Sequence, residues 1–280
     1  MMTVVLTAFT LIAFAGNSLL CRMALGSHHI DPVSFTAIRL ASGAAALIPI
    51  SRLFGESASG ESRASWISGL ALFAYAFAFS LAYVSLTTGT GALLLFGAVQ
   101  VTMIGAALKS GERLRRRHWI GLGVAVAGLI YLLLPGISAP NPLGAFMMCV
   151  AGMAWGIYSL RGKDAQAPAR MTAGNFLRSA PMALAAVLAT VLVAAQSIRL
   201  EPIGVALALV SGVLTSGLGY VLWYRVLRVS TTTQASIVQL LAPVLAAFGG
   251  ITFLSESLSF RLLAASVMVL GGVSVAVRRR

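Results

Sequence analysis

Long apolar segments recur along this 280-residue chain from one end to the other. A helix needs about 20 apolar residues to cross the ~30 Å hydrocarbon core of a bilayer. Segments of that size lie at approximately 3–23, 32–51, 65–86, 88–108, 118–134, 142–160, 173–195, 203–224, 233–254 and 262–277. They are continuous rather than alternating, which excludes a transmembrane β-barrel. We therefore predict an all-α polytopic membrane protein with ten transmembrane helices.

The composition supports the same class, because 59% of the residues are hydrophobic and only 10% are charged. Soluble domains average about 45–50% apolar and about 25% charged residues. The chain is therefore predicted to lie in a lipid bilayer. Its net charge of +13 is not interpreted as a sign of nucleic-acid binding. Cys21 and Cys149 lie inside apolar segments, where we expect buried free thiols. The sequence predicts no cofactor and no metal site.

Basic residues indicate the orientation of the chain in the membrane. With the N-terminus inside, Arg22, Arg199 and Arg261 fall in outer connections, and Arg39 and Arg178 lie within spans. The others of the 20 Lys and Arg residues then lie on the cytoplasmic side, as the positive-inside rule requires. Both termini are therefore predicted to be cytoplasmic.

The densest basic cluster is residues 110–119, which read SGERLRRRHW. Such a cluster can bind nucleic acid, solvate a helix face or anchor a membrane protein. Because it joins the fourth and fifth spans, we interpret its arginines as topology determinants that hold this loop in the cytoplasm. These arginines are Arg113, Arg115, Arg116 and Arg117.

The segment 112–130 has a counterpart at 256–274. Aligned pairs are Glu112 with Glu256, Leu114 with Leu258, Arg117 with Arg261 and Gly128 with Gly272. Upstream, YVSL at 83–86 aligns with YRVL at 224–227, and each precedes a Thr-rich turn. Arg39 of the second span similarly corresponds to Arg178 of the seventh, so the similarity extends over several spans.

These pairs predict two copies of one five-helix unit, residues 1–134 and 135–280. Because five is odd, the second copy must insert inverted relative to the first. Inverted repeats with a substrate site between them, near the middle of the membrane, are common among transporters. Chance similarity between apolar helices is the alternative, but it does not explain matching Glu, Arg and Gly positions.

A family resemblance follows from these motifs: FAGN and AWGI in the first helix of each half, an Arg in the second, and GERL and SESL after the fourth. The pattern resembles the EamA-type repeat of the ten-helix drug/metabolite transporter superfamily, over essentially the whole chain. Within it, the sequence is most similar to the amino-acid exporter branch, notably the aromatic amino-acid exporters. The resemblance implies a bacterial-type inner-membrane exporter that works by alternating access. One departure is that Gln100 stands where such repeats usually carry a proline, whereas Pro243 fits the pattern.

Polar side chains inside the spans are candidates for the transport pathway, because exposing them to lipid is costly. They are Asn17, Gln100, Asn175 and Gln239. The alternative is a purely structural role, in which these amides form hydrogen bonds that hold neighbouring helices together. Pro243 frees a backbone carbonyl, which favours a kink that faces a cavity in the ninth span.

Aromatic residues form the other candidate surface. Tyr75, Phe79 and Tyr83 fall on one face of the third span, and Trp155 and Tyr158 share a face of the sixth. Rings combined with a few polar groups suit a substrate that has an apolar side chain and a polar head. Ordinary helix packing is the alternative role for these rings.

Four further side chains lie nearer the ends of their spans. Arg39 and Arg178 either snorkel to the interface or contact a substrate carboxylate. Trp223 and Tyr224 lie near the inner end of the eighth span, where we expect them in the interfacial aromatic belt.

No acidic residue lies at the middle of a span. The seven acids are Asp31, Glu56, Glu61, Glu112, Asp164, Glu201 and Glu256. We therefore predict export of a neutral or zwitterionic small molecule, such as an amino acid, without a proton-coupling carboxylate in the membrane. A multidrug exporter on the same fold is the alternative. An integral-membrane enzyme is less consistent with the sequence, which has no HExxH motif and no catalytic set. The exact substrate and the oligomeric state stay open.

Overall fold

The computed structural model describes residues 2–53, 64–109, 116–136, 139–163, 165–192, 198–230, 238–239 and 241–277. Apart from one isolated pairing of extended residues, regular structure in these ranges is helical. The helices are α1 (Met2–Gly26), α2 (Pro32–Leu53), α3 (Trp66–Tyr83), α4 (Thr88–Lys109), α5 (Arg116–Leu133), α6 (Pro142–Gly162), α7 (Pro168–Leu192), α8 (Pro202–Val229), α9 (Leu241–Leu254) and α10 (Phe260–Val277). The middle of α8, Ser211–Leu218, is a π-helical segment.

Seven helices of the described residues, α1–α4 and α6–α8, are long and apolar enough to cross a membrane. Shorter apolar helices lie at Trp119–Leu133, Leu241–Leu254 and Phe260–Gly272. Large apolar side chains such as Phe9 and Phe146 are exposed on the outside of the bundle. Contiguous apolar surface on this scale is typical of contact with lipid. The structure thus confirms a helical, multi-pass membrane protein.

Local sequence explains where several helices begin. Helices α2, α6, α7 and α8 start at a proline, whose fixed φ suits the first helical position. The side chains of Asp31, Ser65 and Asn141 accept hydrogen bonds from backbone N–H groups in the first turns of α2, α3 and α6. Such caps satisfy donors that have no partner within the helix. They hold the helix starts at the two ends of the bundle.

The connections before α2 and α8 meet at the end of the bundle that is predicted to face outward, here called the outer end. Ile30 pairs with Leu200 as isolated extended residues. His29 Nδ1 lies 2.6 Å from Glu201 Oε2, and Arg199 Nη2 lies 2.9 Å from Glu201 Oε1. The hydrogen bond from His29, followed by that from Arg199, lowers the pKa of the Glu201 carboxyl below its ordinary value. This contact joins the two connections directly.

The helices pack in pairs that mirror one another. Helix α3 packs on α6 and α7, and α8 packs on α1 and α2 in the same way. Three further contacts join α2 to α7, α4 to α9 and α5 to α10. Helices α1, α3, α6 and α8 therefore surround the centre of the bundle, where the large buried aromatic side chains lie.

The expectation that Trp223 and Tyr224 form an interfacial belt is wrong. Both side chains are fully buried. Trp223 Nε1 donates to Ser159 Oγ at 3.3 Å, and Tyr224 OH donates to the carbonyl of Tyr158 at 2.9 Å. Gly162 makes room for the Tyr224 ring, so α6 covers this part of α8 and removes it from the interface.

The topology determinants lie largely outside the described residues. Arg113 and Arg115 belong to an undescribed range, and the side chain of Arg117 is also outside the description. Arg116 begins α5 and is exposed. An exposed cation at this position is compatible with the predicted role, which stays a prediction.

Candidate transport site

Aromatic rings from five helices converge at the centre of the bundle. We define the aromatic cage as Phe14, Tyr75, Phe79, Phe96, Trp155, Tyr158 and Tyr220. The Trp155 ring is central, with its centroid 4.6 Å from Tyr220, 5.1 Å from Tyr75 and 5.4 Å from Phe14. The Phe14 contact is edge-to-face, an arrangement that aromatic pairs favour. The cage therefore presents ring faces and edges from α1, α3, α4, α6 and α8 to one point.

A small cavity lies within the cage. Its lining includes Phe14, Asn17, Tyr75, Phe96 and Trp155. The cavity measures about 10 Å³, which is room for roughly one water molecule. The rings are thus in contact with one another, and a larger ligand could enter only if the surrounding helices separate.

Asn17 of α1 connects the cage to a polar network. Its Nδ2 donates to Tyr75 OH at 3.0 Å, and its Oδ1 accepts from Ser211 Oγ at 2.8 Å and Thr215 Oγ1 at 3.2 Å. Asn17 is buried, so each of these bonds forms away from bulk water. The amide thereby ties α1 to α3 and α8 beside the aromatic rings.

The π-helical segment of α8 explains why its polar side chains face one point. A π-helix has i→i+5 hydrogen bonds, so its turns are wider than those of an α-helix. Ser211, Thr215 and Ser216 therefore lie together on the side that faces Asn17 and α2. π-Helical segments are rare in proteins, and those that occur are often found at functional sites.

Arg39 of α2 is also part of this network and is 0% exposed. Its Nε donates to Ser216 Oγ at 2.8 Å, and its Nη2 donates to Tyr220 OH at 2.7 Å and to Tyr75 OH at 3.0 Å. The guanidinium carbon lies 5.2 Å from the centroids of both the Tyr75 and Phe79 rings. The side chain thus turns inward rather than snorkelling to the interface. Close packing of α2 on α8 covers it from lipid.

Arg178, the counterpart of Arg39 in the second half, behaves differently. It is partly exposed, and its Nη1 donates to the carbonyl of Gly174, one turn earlier on α7, at 2.8 Å. The side chain therefore points back toward the inner end of its helix. That geometry is the one expected for a snorkelling arginine.

The structure brings Asn17, Tyr75, Phe79, Trp155 and Tyr158 together. Their role in a substrate pathway stays a prediction. The remaining candidates lie beside this site rather than in it. Gln100 is buried one turn beyond Phe96 on α4, Gln239 is buried before α9, and Pro243 is buried within α9. Asn175 accepts a hydrogen bond from the backbone of Ser65 at 3.2 Å, which joins α7 to the start of α3.

Sequence reasoning missed two cage residues of the first half, Phe14 and Phe96, and four residues of α8, Ser211, Thr215, Ser216 and Tyr220. A signal for two of them was present in the repeat, because aligning 83–86 with 224–227 also aligns Tyr75 with Ser216 and Phe79 with Tyr220. The aromatic face of α3 thus has its equivalent on α8. Phe14 lies in the FAGN motif, whose counterpart AWGI contains Trp155, so the motif that marks the family also marks this ring.

A second polar cluster lies at the outer end, and we call Arg22, Thr88 and Glu256 the outer latch. Arg22 Nε lies 3.3 Å from Glu256 Oε1, and the Glu256 oxygens accept from the Thr88 N–H at 3.0 and 2.8 Å. A carboxylate at the N-terminus of α4 also complements the helix dipole. Arg22 Nη1 further donates to the carbonyls of Tyr83 and Val84 at 3.0 and 3.1 Å. The latch ties α1, α3, α4 and the α9–α10 connection together.

Comparison with known proteins identifies the fold and the family. The sequence profile of the EamA-like transporter family matches residues 1–134 and 142–278. The chain belongs to this family. It is therefore a multi-pass membrane transporter, and its resemblance to the drug/metabolite transporter superfamily is confirmed.

Relatives of this EamA-family protein cover most of its length. The "Uncharacterized protein PA1977" of Pseudomonas aeruginosa is 49% identical over 278 residues, which are 99% of this chain and 95% of the relative. An "Uncharacterized transporter" of Archaeoglobus fulgidus is 27% identical over 210 residues, 72% of each protein. A crystal structure that is 22% identical covers 96% of this chain and 95% of its own, with a TM-score of 0.67, so the two share a fold.

Proposed function

We propose that this EamA-family transporter exports amino acids, aromatic or other neutral ones, or closely related small metabolites. The observation that carries the proposal is the aromatic cage directly beside the buried polar network of Asn17. The rings of the cage suit an apolar or aromatic side chain of the substrate. The amide and hydroxyl groups that converge beside them suit the polar head of the same molecule. No enzymatic activity is part of the proposal.

Ten transmembrane helices in two inverted repeats, 1–134 and 135–280, provide the mechanism of alternating access. The mirrored packing of α3 on α6 and α7 and of α8 on α1 and α2 supports this organisation. The match of the family profile to two consecutive segments supports it too. Since outer membranes are spanned by β-barrels, a helical bundle favours the inner membrane. The cage takes side chains from both halves of the chain, which supports a site that opens to each side in turn.

Transport without a membrane-embedded proton-coupling carboxylate is supported by the positions of the acids. Of the acids in the described residues, Asp31, Glu201 and Glu256 all lie at the outer end. The other four fall in predicted cytoplasmic connections. A proton-driven exporter of lipophilic cations would need such a carboxylate in its pathway.

Counterflow in proteoliposomes tests the proposed function. Vesicles loaded with unlabelled phenylalanine are expected to accumulate labelled phenylalanine transiently and saturably, with competition from other aromatic amino acids. The rate should persist when no pH gradient is imposed. Strict dependence on a pH gradient would contradict the uncoupled mechanism. Movement of lipophilic cations in place of amino acids would favour the multidrug alternative.

Alternating access also predicts that weakening the outer latch opens the outer end more often. Glu256→Gln keeps the size of the side chain but removes the charge that attracts Arg22 and caps α4. Buried Cys21, next to Arg22 on α1, serves as a reporter in a Cys149→Ser background. We expect Glu256→Gln to raise the rate of Cys21 alkylation by an impermeant maleimide about 10-fold, since roughly 1.4 kcal/mol of lost interaction shifts a population tenfold.

The matched control for this experiment is Glu201→Gln. Glu201 is also an outer carboxylate with Arg and His partners, but it joins the α1–α2 and α7–α8 connections instead of the latch. Its substitution should leave the alkylation rate of Cys21 unchanged. Equal rates in the two variants would show that the latch does not control the outer opening.

A further inference from the structure

The guanidinium of Arg39 has more donors than its surroundings satisfy. It carries five N–H groups, of which Nε and Nη2 bind Ser216, Tyr75 and Tyr220. Nη1 is buried and has no hydrogen-bond partner among the described residues. Buried donors nearly always have a partner, because leaving them without one is costly. The missing acceptor is therefore a feature that needs an explanation.

The neighbours of Arg39 add to this excess of donors. Tyr75 oxygen receives hydrogen bonds from Asn17 Nδ2, Arg39 Nη2 and Tyr220 OH, at 3.0, 3.0 and 3.1 Å. A phenol oxygen has two lone pairs and also carries a proton of its own to donate. The cluster thus contains more hydrogen-bond donors than acceptors. Each protein acceptor in it is an uncharged oxygen.

The positive charge of Arg39 likewise has no counterion in the part of the chain that the structure describes. No carboxylate of the described residues forms an ion pair with it. Its partners are hydroxyl groups and the rings of Tyr75 and Phe79. A fully buried cation is costly unless an anion or strong acceptors compensate it. An anion with two oxygens would satisfy both the charge and the free Nη1.

We propose that Arg39 binds the carboxylate of the transported molecule, so that substrates must carry this group. This inference rests on the proposed function of the cage as the transport site. Arginine is suited to the role because its planar fork binds the two oxygens of a carboxylate at once. Tyr75 contacts both Arg39 and Trp155, so a carboxylate at Arg39 would place an aromatic side chain among the rings.

The same geometry gives a reason for Tyr75 and Tyr220 to hold Arg39 when no carboxylate is bound. Their hydroxyl groups, from α3 and α8, share Nη2 at 3.0 and 2.7 Å. A carboxylate competes for these N–H groups and accepts hydrogen bonds from the two phenols as well. Binding therefore changes contacts between α2, α3 and α8 together, without any proton being taken up.

Three ligands that share a phenyl ring test the proposal on the unmodified protein. They are phenylalanine, 3-phenylpropanoate, which lacks the amine, and 2-phenylethylamine, which lacks the carboxylate. Equilibrium binding is followed by tryptophan fluorescence, since Trp155 lies in the cage, and by competition in counterflow. We expect 2-phenylethylamine to bind about 10- to 100-fold more weakly than phenylalanine, the usual effect of losing a hydrogen-bonded charged partner. 3-Phenylpropanoate should lose far less.

Variants then assign the effect to Arg39. Arg39→Gln should abolish the preference for the carboxylate, and Arg39→Lys should retain part of it. Arg178→Gln is the matched control, because this arginine binds a backbone carbonyl of its own helix; it should keep the full preference. Equal binding of phenylalanine and 2-phenylethylamine by the unmodified protein would overturn the inference even if Arg39→Gln fails to fold, while leaving export through the cage intact. Absence of binding and counterflow for every phenyl compound would instead reject aromatic amino acids as the substrates of the proposed function.

Discussion

Replacing Trp155 with alanine is expected to lower the kcat/KM of phenylalanine counterflow by at least about 100-fold. The Trp155 ring contacts Phe14, Tyr75 and Tyr220, which belong to three other helices. Its removal takes away the surface on which an aromatic side chain would stack, and each aromatic contact is worth about 0.5–1.5 kcal/mol beyond its buried area. The stacking contact with the substrate ring, together with the apolar area that it buries, is worth about 3 kcal/mol, which corresponds to a loss of roughly 100-fold. The kcat/KM of Trp155→Phe, which retains a ring, should lie between that of Trp155→Ala and that of the unmodified protein.

The control for Trp155→Ala lies on the same helix. Phe146 of α6 is 60% exposed on the outside of the bundle, so Phe146→Ala removes an aromatic ring of α6 without touching the cage. It should transport at the rate of the unmodified protein. Thermal unfolding of both variants in detergent separates folding from transport. Normal counterflow by a folded Trp155→Ala variant would show that substrate does not pass through the cage.

The hydropathy of the sequence predicts the helices well, because spanning a bilayer demands long apolar runs that few other structures use. The predicted span 32–51 agrees with α2, which is Pro32–Leu53. The predicted seventh span is 173–195, whereas α7 is Pro168–Leu192. The helix begins at Pro168, but its first two turns contain polar residues. Their hydropathy is too low for them to be counted in the predicted span. Helix limits thus depend on local caps that a hydropathy window does not resolve.

The site is only partly predictable because depth in the membrane and direction around a helix are different properties. The spacing of Tyr75 and Phe79 gives a direction, and the structure places both in the cage. Arg39 has no such pattern, and its inward turn depends on the packing of α2 against α8. The π-helical segment changes which side chains of α8 face that point, and hydropathy carries no information on hydrogen-bond register.

The second large effect concerns the contact between α5 and α10, which small residues make possible. A Cβ atom at Gly128 would lie 2.7 Å from Met268 Cβ and 3.2 Å from the carbonyl oxygen of Ala265. Gly128→Leu would therefore force the two helices apart. We expect a loss of about 3 kcal/mol, at the upper end for overpacking, and a melting temperature lower by roughly 10 °C. Thermal unfolding in detergent measures it.

Gly123 on the same helix is the matched control, because a Cβ there would meet no atom within 4 Å. Gly123→Leu should leave the melting temperature unchanged or raise it slightly, since glycine costs up to about 1 kcal/mol in a helix. Helix α10 repeats the pair: a Cβ at Gly272 would lie 2.7 Å from the Ala125 nitrogen, whereas Gly271 faces open space. If Gly128→Leu and Gly272→Leu lower the melting temperature and the control variants Gly123→Leu and Gly271→Leu do not, α5 and α10 act as a close-packed scaffold. Equal melting temperatures for all four variants would show that these helices do not pack through their glycines.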